Sequence, residues 1–144
     1  METIKTIGLE EIINKGYKPL TEFEEEVARK IVNAAYKVHS QLGPGLLEKI
    51  YEVCFCYELS KAGLNFKSQV KLPIIYDTIT FSEGLNLDVL VEDLVICELK
   101  SVKETTSVDD AQLLSHLRLA KKRLGFLINF NVTRIKEGIF RKIL

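Results

Sequence analysis

Three charged residues, Asp88, Glu98 and Lys100, stand in a stretch that otherwise reads as a buried hairpin, Asn86-Leu87-Asp88-Val89-Leu90-Val91-Glu92-Asp93-Leu94-Val95-Ile96-Cys97-Glu98-Leu99-Lys100. Glu98 and Lys100 lie two apart on one strand, so both leave the same face, and Leu99 leaves the other. Two carboxylates on adjacent strands make a hard-oxygen site suited to Mg²⁺ or Mn²⁺. Such an ion polarises a phosphoryl oxygen and lowers the pKa of bound water, and a nearby lysine can orient that water. The same residues could instead form a half-buried ion pair, Asp88 or Glu98 with Lys100. A pair of that kind adds little stability, which makes it weak architectural glue.

Whether Asp88 joins the other two depends on hairpin register. A two-residue Glu92-Asp93 turn pairs Asp88 with Cys97 and sends Asp88 and Glu98 to opposite faces. A three-residue loop, Glu92-Asp93-Leu94, pairs Asp88 with Glu98. Only this second register sorts the residues by polarity. It gathers Leu85, Leu87, Val89, Val91, Val95, Cys97 and Leu99 on one apolar face. Asn86, Asp88, Glu98 and Lys100 then share the other, so burial favours the arrangement that clusters the charges.

Helices must hold this hairpin. Thr21-x-x-Glu24 is a capping box, and Phe23, Val27, Ile31, Ala34 and Val38 follow at helical spacing until Gly43-Pro44-Gly45 breaks the helix near Leu42. A second helix is expected from about Leu46 to Lys61, with Leu47, Ile50 or Tyr51, Cys54, and Tyr57 or Glu58 inward and Gly63 at its C′ position. Phe66 to Tyr76 reads as an edge or irregular strand because it contains Pro73. Asp77-Thr78 is a turn, returning through Ile79-Thr80-Phe81. Central strands are expected at Gly84 to Val91 and Leu94 to Val102. Ser107-x-x-Asp110 resembles a cap for a helix reaching about Lys121. Leu124 to Ile128 and Ile139 to Leu144 complete the strands. The order predicts an α/β fold, a mixed sheet with helices on both faces. Residues 1–20 are weakly patterned and read as an arm or short helix ahead of a domain at 21–144.

At 144 residues the chain reads as one domain. No apolar run approaches the roughly 18 residues that a membrane span needs, and the start of the chain does not read as a signal peptide. A cytoplasmic protein is the expectation. Cys54, Cys56 and Cys97 fit it, since an odd count makes a poor disulfide framework. Cys54 and Cys56 fall on different sides of their helix, and His39 and His116 add no zinc-like spacing, so reduced, buried thiols are expected. With 20 basic and 20 acidic residues the net charge is zero, which counts against a nucleic-acid binder relying on bulk electrostatics. Lys121-Lys122-Arg123 and the basic residues from Arg134 to Lys142 could still form a local strip.

Asp88 followed by Glu98-Leu99-Lys100 resembles the D…(D/E)xK signature of the PD-(D/E)XK nuclease superfamily. A more specific block, Gly45-Leu46-Leu47-Glu48-Lys49-Ile50-Tyr51, resembles the motif that names the GxxExxY protein family. Leu42-Gly43-Pro44-Gly45, Ala111-Gln112-Leu113-Leu114 and Leu127-Ile128-Asn129-Phe130-Asn131 are similar to that family too, and the likeness runs from about Leu20 to Leu144. It implies a restriction-endonuclease-like αβββαβ core. It also implies a metal-dependent nuclease acting on nucleic acid, DNA ahead of RNA, with Mg²⁺ or Mn²⁺ as cofactor. By this resemblance Asp88 and Glu98 bind metal, Glu48 completes the shell and Lys100 assists the attacking water. Gln112 matches the glutamine of a QxxxY element that positions substrate or the lysine. His116 stands where that tyrosine would fall and could bind phosphate; Lys103 joins Gln112 and His116 on the substrate side. Leu87 replaces the proline of the PD pair. Tyr51 is expected to pack, with no catalytic role. The alternative is a non-catalytic module on this scaffold that binds nucleic acid or protein. The small size and zero net charge also leave room for a homodimer or a partner subunit to supply grip.

Overall fold

The computed structural model describes residues 18–144. The order is α1 (Glu22–Leu42), α2 (Glu48–Lys61), β1 (Phe66–Tyr76), β2 (Ile79–Val91), β3 (Val95–Lys100), α3 (Ser107–Ala120), β4 (Leu124–Asn129), a 3₁₀ turn (Ile135–Gly138) and β5 (Ile139–Ile143). The five strands form one sheet in the order β1-β2-β3-β4-β5. Only β3 and β4 run parallel, and α3 is the crossover between them. Parallel neighbours need such a connection, and α3 packs on one face of the sheet as it makes it. The result is the expected α/β fold, a mixed sheet flanked by helices and consistent with a restriction-endonuclease-like core.

Two apolar clusters sandwich the sheet. One joins Val27, Ile31 and Val38 of α1 and Tyr51, Phe55 and Leu59 of α2 to Val89, Val91, Cys97 and Leu99. The other joins Leu113 and Leu117 of α3 to Leu85, Leu87, Leu90 and Ile96. The single apolar face expected along β2 is therefore divided. Leu85 and Leu87 pack on the α3 side, Val89 and Val91 on the α1/α2 side, and the strand changes face at Asp88. Opposite it, Gln69 of β1 sits at φ 52°, bracketed by the pairs Ser68↔Val89 and Val70↔Leu87.

Local signals hold with small shifts. Thr21 caps α1 reciprocally with Glu24. The α3 cap is Thr106 with Asp109, one residue earlier than Ser107 with Asp110. Phe23 is half exposed rather than part of the α1 stripe. In α2 the buried residues are Tyr51, Glu52, Phe55, Cys56 and Leu59, a face rotated by about 100° from the expected one. Leu47, Ile50 and Tyr57 are exposed. Ile79-Thr80-Phe81 and Gly84 to Val91 are one continuous strand, and β1 is indeed an edge, its register slipping at Pro73. The part of the arm that is described, Lys18 to Leu20, is docked. Arg123 donates to the Lys18 and Pro19 carbonyls, and Leu20 packs on the first cluster. Residues 1–17 lie outside the described part. Among the described residues no helix is long and apolar enough to cross a membrane.

Candidate active site

The loop between α1 and α2 sets Glu48. Gly43 and Gly45 take φ values of 66° and 96°, which glycine adopts without the clash a Cβ brings. The Tyr51 hydroxyl donates to the Gly43 carbonyl at 2.6 Å and accepts from the Leu46 N–H at 3.1 Å. Its ring stacks on Phe130, with centroids 4.7 Å apart. Ser101, just past β3, donates its hydroxyl to the Leu46 carbonyl at 2.6 Å. The first turn of α2 is thereby tied to the end of β3. Glu48 opens that turn, and its carboxyl is raised above the usual range, first by partial burial and then by Asp88, against the opposing pull of Lys100. Glu48, Asp88 and Lys100 thus lie within electrostatic reach of one another.

Glu92 and Asp93 both adopt left-handed backbone, and the Leu94 N–H closes the turn on Val91 O at 2.9 Å. The register is the three-residue one, with Val91 opposite Val95 and Val89 opposite Cys97. One step further the ladder gives way to a side chain, as Asp88 Oδ2 accepts the Leu99 N–H at 2.9 Å. Asp88 is therefore anchored to the residue between Glu98 and Lys100.

Glu98 is buried, and its Oε1 lies 2.8 Å from His116 Nδ1 on α3. Burial pushes this carboxyl up to about 7; the His116 hydrogen bond opposes the shift, and the charge of Asp88 and a hydrogen bond with it add to it. Lys100 pairs loosely with Asp109 of α3 at 3.8 Å. Asp88 and Glu98 are thus not neutralised by the Lys100 ion pair that the sequence left open.

Glu48, Asp88, Glu98 and Lys100 are brought to one end of the β2–β3 hairpin. His116 is buried against Glu98 and does not face outward. The Gln112 and Lys103 side chains are exposed and make no hydrogen bond or ion pair with another described residue. Four of the seven basic residues in the two basic runs are engaged. Lys122 pairs with Asp93, Arg141 with Glu25 and Lys142 with Asp110, while Arg123 holds the Lys18–Pro19 backbone.

Three polar residues were given no role in the sequence reading. Asn129, buried at the end of β4, accepts from the Val102 and Asn131 N–H groups and donates to the Val102 carbonyl, fixing the turn after Lys100. Its signal was a lone amide ending an apolar strand. Buried Glu52 accepts from Gln69 Nε2 at 2.9 Å and from Lys49 Nζ at 3.3 Å, and Gln69 Oε1 accepts from Asn86 Nδ2 at 3.0 Å. Nothing in one sequence marks Gln69 or Glu52.

Among the described residues no three His, Cys, Asp or Glu side chains converge as a ready metal cage. The donor chemistry nevertheless fits a hard divalent cation. Burial and the charge of Asp88 raise Glu98 to about 7, and a cation held by the two carboxyls would offset that repulsion. Asp88 and Glu98 are the pair that would hold it, with Glu48 facing the same charges.

Neither a curated protein nor a solved structure matches this chain. A family model described as the PD-(D/E)XK nuclease superfamily matches residues 25–142, from the first helix to the last strand. With a nuclease-type scaffold throughout that span, the chain belongs to the PD-(D/E)XK nuclease superfamily.

Proposed function

We propose that this protein is a metal-dependent nuclease that hydrolyses nucleic-acid phosphodiester bonds, and that it is a member of the GxxExxY group of its superfamily, a reading supported by the spacing of Gly45, Glu48 and Tyr51. The observation that carries the reading is the Asp88–Glu98 carboxyl pair, held on adjacent strands close enough that the charge of Asp88 helps to raise Glu98. A bound Mg²⁺ or Mn²⁺ would polarise a phosphoryl oxygen and acidify water there. Asp88 and Glu98 would hold that ion, Asp88 fixed by the Leu99 N–H and Glu98 by His116. Glu48 would complete the shell through water. Lys100 orients the attacking water and offsets developing charge. Exposed Gln112 and Lys103 meet the substrate backbone; His116 acts on Glu98 and not on phosphate. With Lys122, Arg141 and Lys142 engaged in ion pairs and Arg123 on backbone carbonyls, a second copy or a partner subunit supplies the grip on a duplex. The three unpaired cysteines agree with a cytoplasmic setting.

The test is calorimetric titration of Mn²⁺ into wild type and Asp88→Ala, followed by cleavage assays on single- and double-stranded substrates. Binding that vanishes in Asp88→Ala, together with cleavage by wild type alone, is the expected result. The competing reading, a binding module without catalysis, draws on the absence of a three-ligand cage among the described residues. It requires that Asp88→Ala retain or strengthen nucleic-acid binding while wild type cleaves nothing at millimolar Mn²⁺.

A further inference from the structure

We infer that Gln69 is a positioning residue for Asp88 and for the helix that carries Glu48, an inference that rests on the reading of those carboxylates as the site. Gln69 is a non-glycine residue in left-handed backbone in the middle of a strand, at φ 52°, a conformation that its Cβ disfavours. Strain of this kind persists only where surrounding contacts enforce it. Here both ends of its amide are used. Oε1 takes the Asn86 N–H group, and Nε2 donates to Glu52. Glu52 lies one turn beyond Glu48 on α2, and its carboxylate is among the charges that Glu48 feels.

The backbone twist and the bridge act at one place. Gln69 and Asp88 are bracketed by the same two residue pairs. At that point β2 turns from packing Leu85 and Leu87 against α3 to packing Val89 and Val91 against α1 and α2. The turn frees the Asp88 carboxylate from the ladder to take the Leu99 N–H. Gln69 therefore couples three elements: β1 through its backbone, β2 through Asn86, and α2 through Glu52.

Amide hydrogen exchange at Leu99, with Ile96 of the same strand as control, reads the Asp88 anchor without any metal. Gln69→Gly, which suits the left-handed backbone but lacks the bridge, is expected to lower Leu99 protection at least about tenfold and to leave Ile96 within about twofold. Gln69→Glu sets an oxygen against Glu52 and should do the same, while Gln69→Glu combined with Glu52→Gln restores the donor–acceptor contact and the protection. Unchanged Leu99 protection, an equal loss at Leu99 and Ile96, or no rescue by the double exchange overturns the inference. Mn²⁺ calorimetry on the same proteins separates the two readings. If wild type binds no Mn²⁺, the metal reading falls and the exchange data still decide the role of Gln69. If wild type binds and Gln69→Gly binds equally well despite lost protection, Gln69 positions nothing the ion uses.

Discussion

The Tyr51 hydroxyl closes the loop ahead of its own helix, donating to the Gly43 carbonyl at 2.6 Å. This contact accounts for the spacing Gly45-x-x-Glu48-x-x-Tyr51. The glycine permits the loop, the tyrosine clasps it, and the glutamate between them is held in the first turn beside Asp88 and Lys100. Tyr51→Phe keeps the stack on Phe130 and loses only the clasp. It is expected to cost about 1–2 kcal/mol, the usual range for stranding part-buried backbone partners, and to weaken Mn²⁺ binding. Urea unfolding and calorimetry check this; an unchanged urea midpoint would mean that water replaces the hydroxyl.

Glu98 makes stability depend on pH. Its folded pKa, about 7, lies above the ordinary value of 4.5, so the native state binds the proton more tightly than the unfolded chain does. The stabilisation is complete below about pH 4.5 and is lost as pH rises through about 7, amounting to at most roughly 3 kcal/mol. Glu98→Gln should flatten the profile between pH 5 and pH 8. Urea midpoints that fall equally with pH in both proteins would assign the effect to other groups.

Asn129 carries the turn after Lys100 on three hydrogen bonds from one buried amide. Asn129→Ala strands the Val102 and Asn131 backbone groups and is expected to cost about 2–4 kcal/mol. Asn129→Asp keeps the acceptor but buries a charge and loses the donor, so it should rescue little. A thermal midpoint for Asn129→Ala equal to that of wild type would show that the turn stands without the clamp.

Thiol chemistry reports on the packing behind the site. Burial, with the Glu52 carboxylate adding, pushes Cys56 up to about 11, and burial holds fully enclosed Cys97 well above the ordinary thiol range. At pH 8 a thiol reagent should modify half-buried Cys54 first. Cys56 should react roughly a hundredfold more slowly than an ordinary thiol, and Cys97 only on unfolding. Native-state labelling of Cys97 at the rate of Cys54 would contradict a closed core beside Glu98.

The sequence by itself determined the elements and most of the charged cluster. The Thr21 capping box, the Gly43-Pro44-Gly45 break and the Pro73 edge are local signals, written within a few residues of where they act. The hairpin register was legible for a different reason. A slip of one residue would bury Asp88 or expose Val89, so polarity alone selected the three-residue loop. Tertiary structure decided what depends on partners distant in the chain. Leu47, Ile50 and Tyr57 are as apolar as Phe55 and Leu59, and the face of α2 that turns inward was settled by Tyr51 reaching Gly43 and Phe130. Likewise, Lys100 turned to Asp109, His116 to Glu98, and the basic residues to Asp93, Glu25 and Asp110. Each of these pairings joins residues at least 9 positions apart in the numbering, so no helical or strand period could announce it. The face change at Asp88 lay deepest of all, because it rests on one left-handed residue in a neighbouring strand, and glutamine carries no local signature for that conformation.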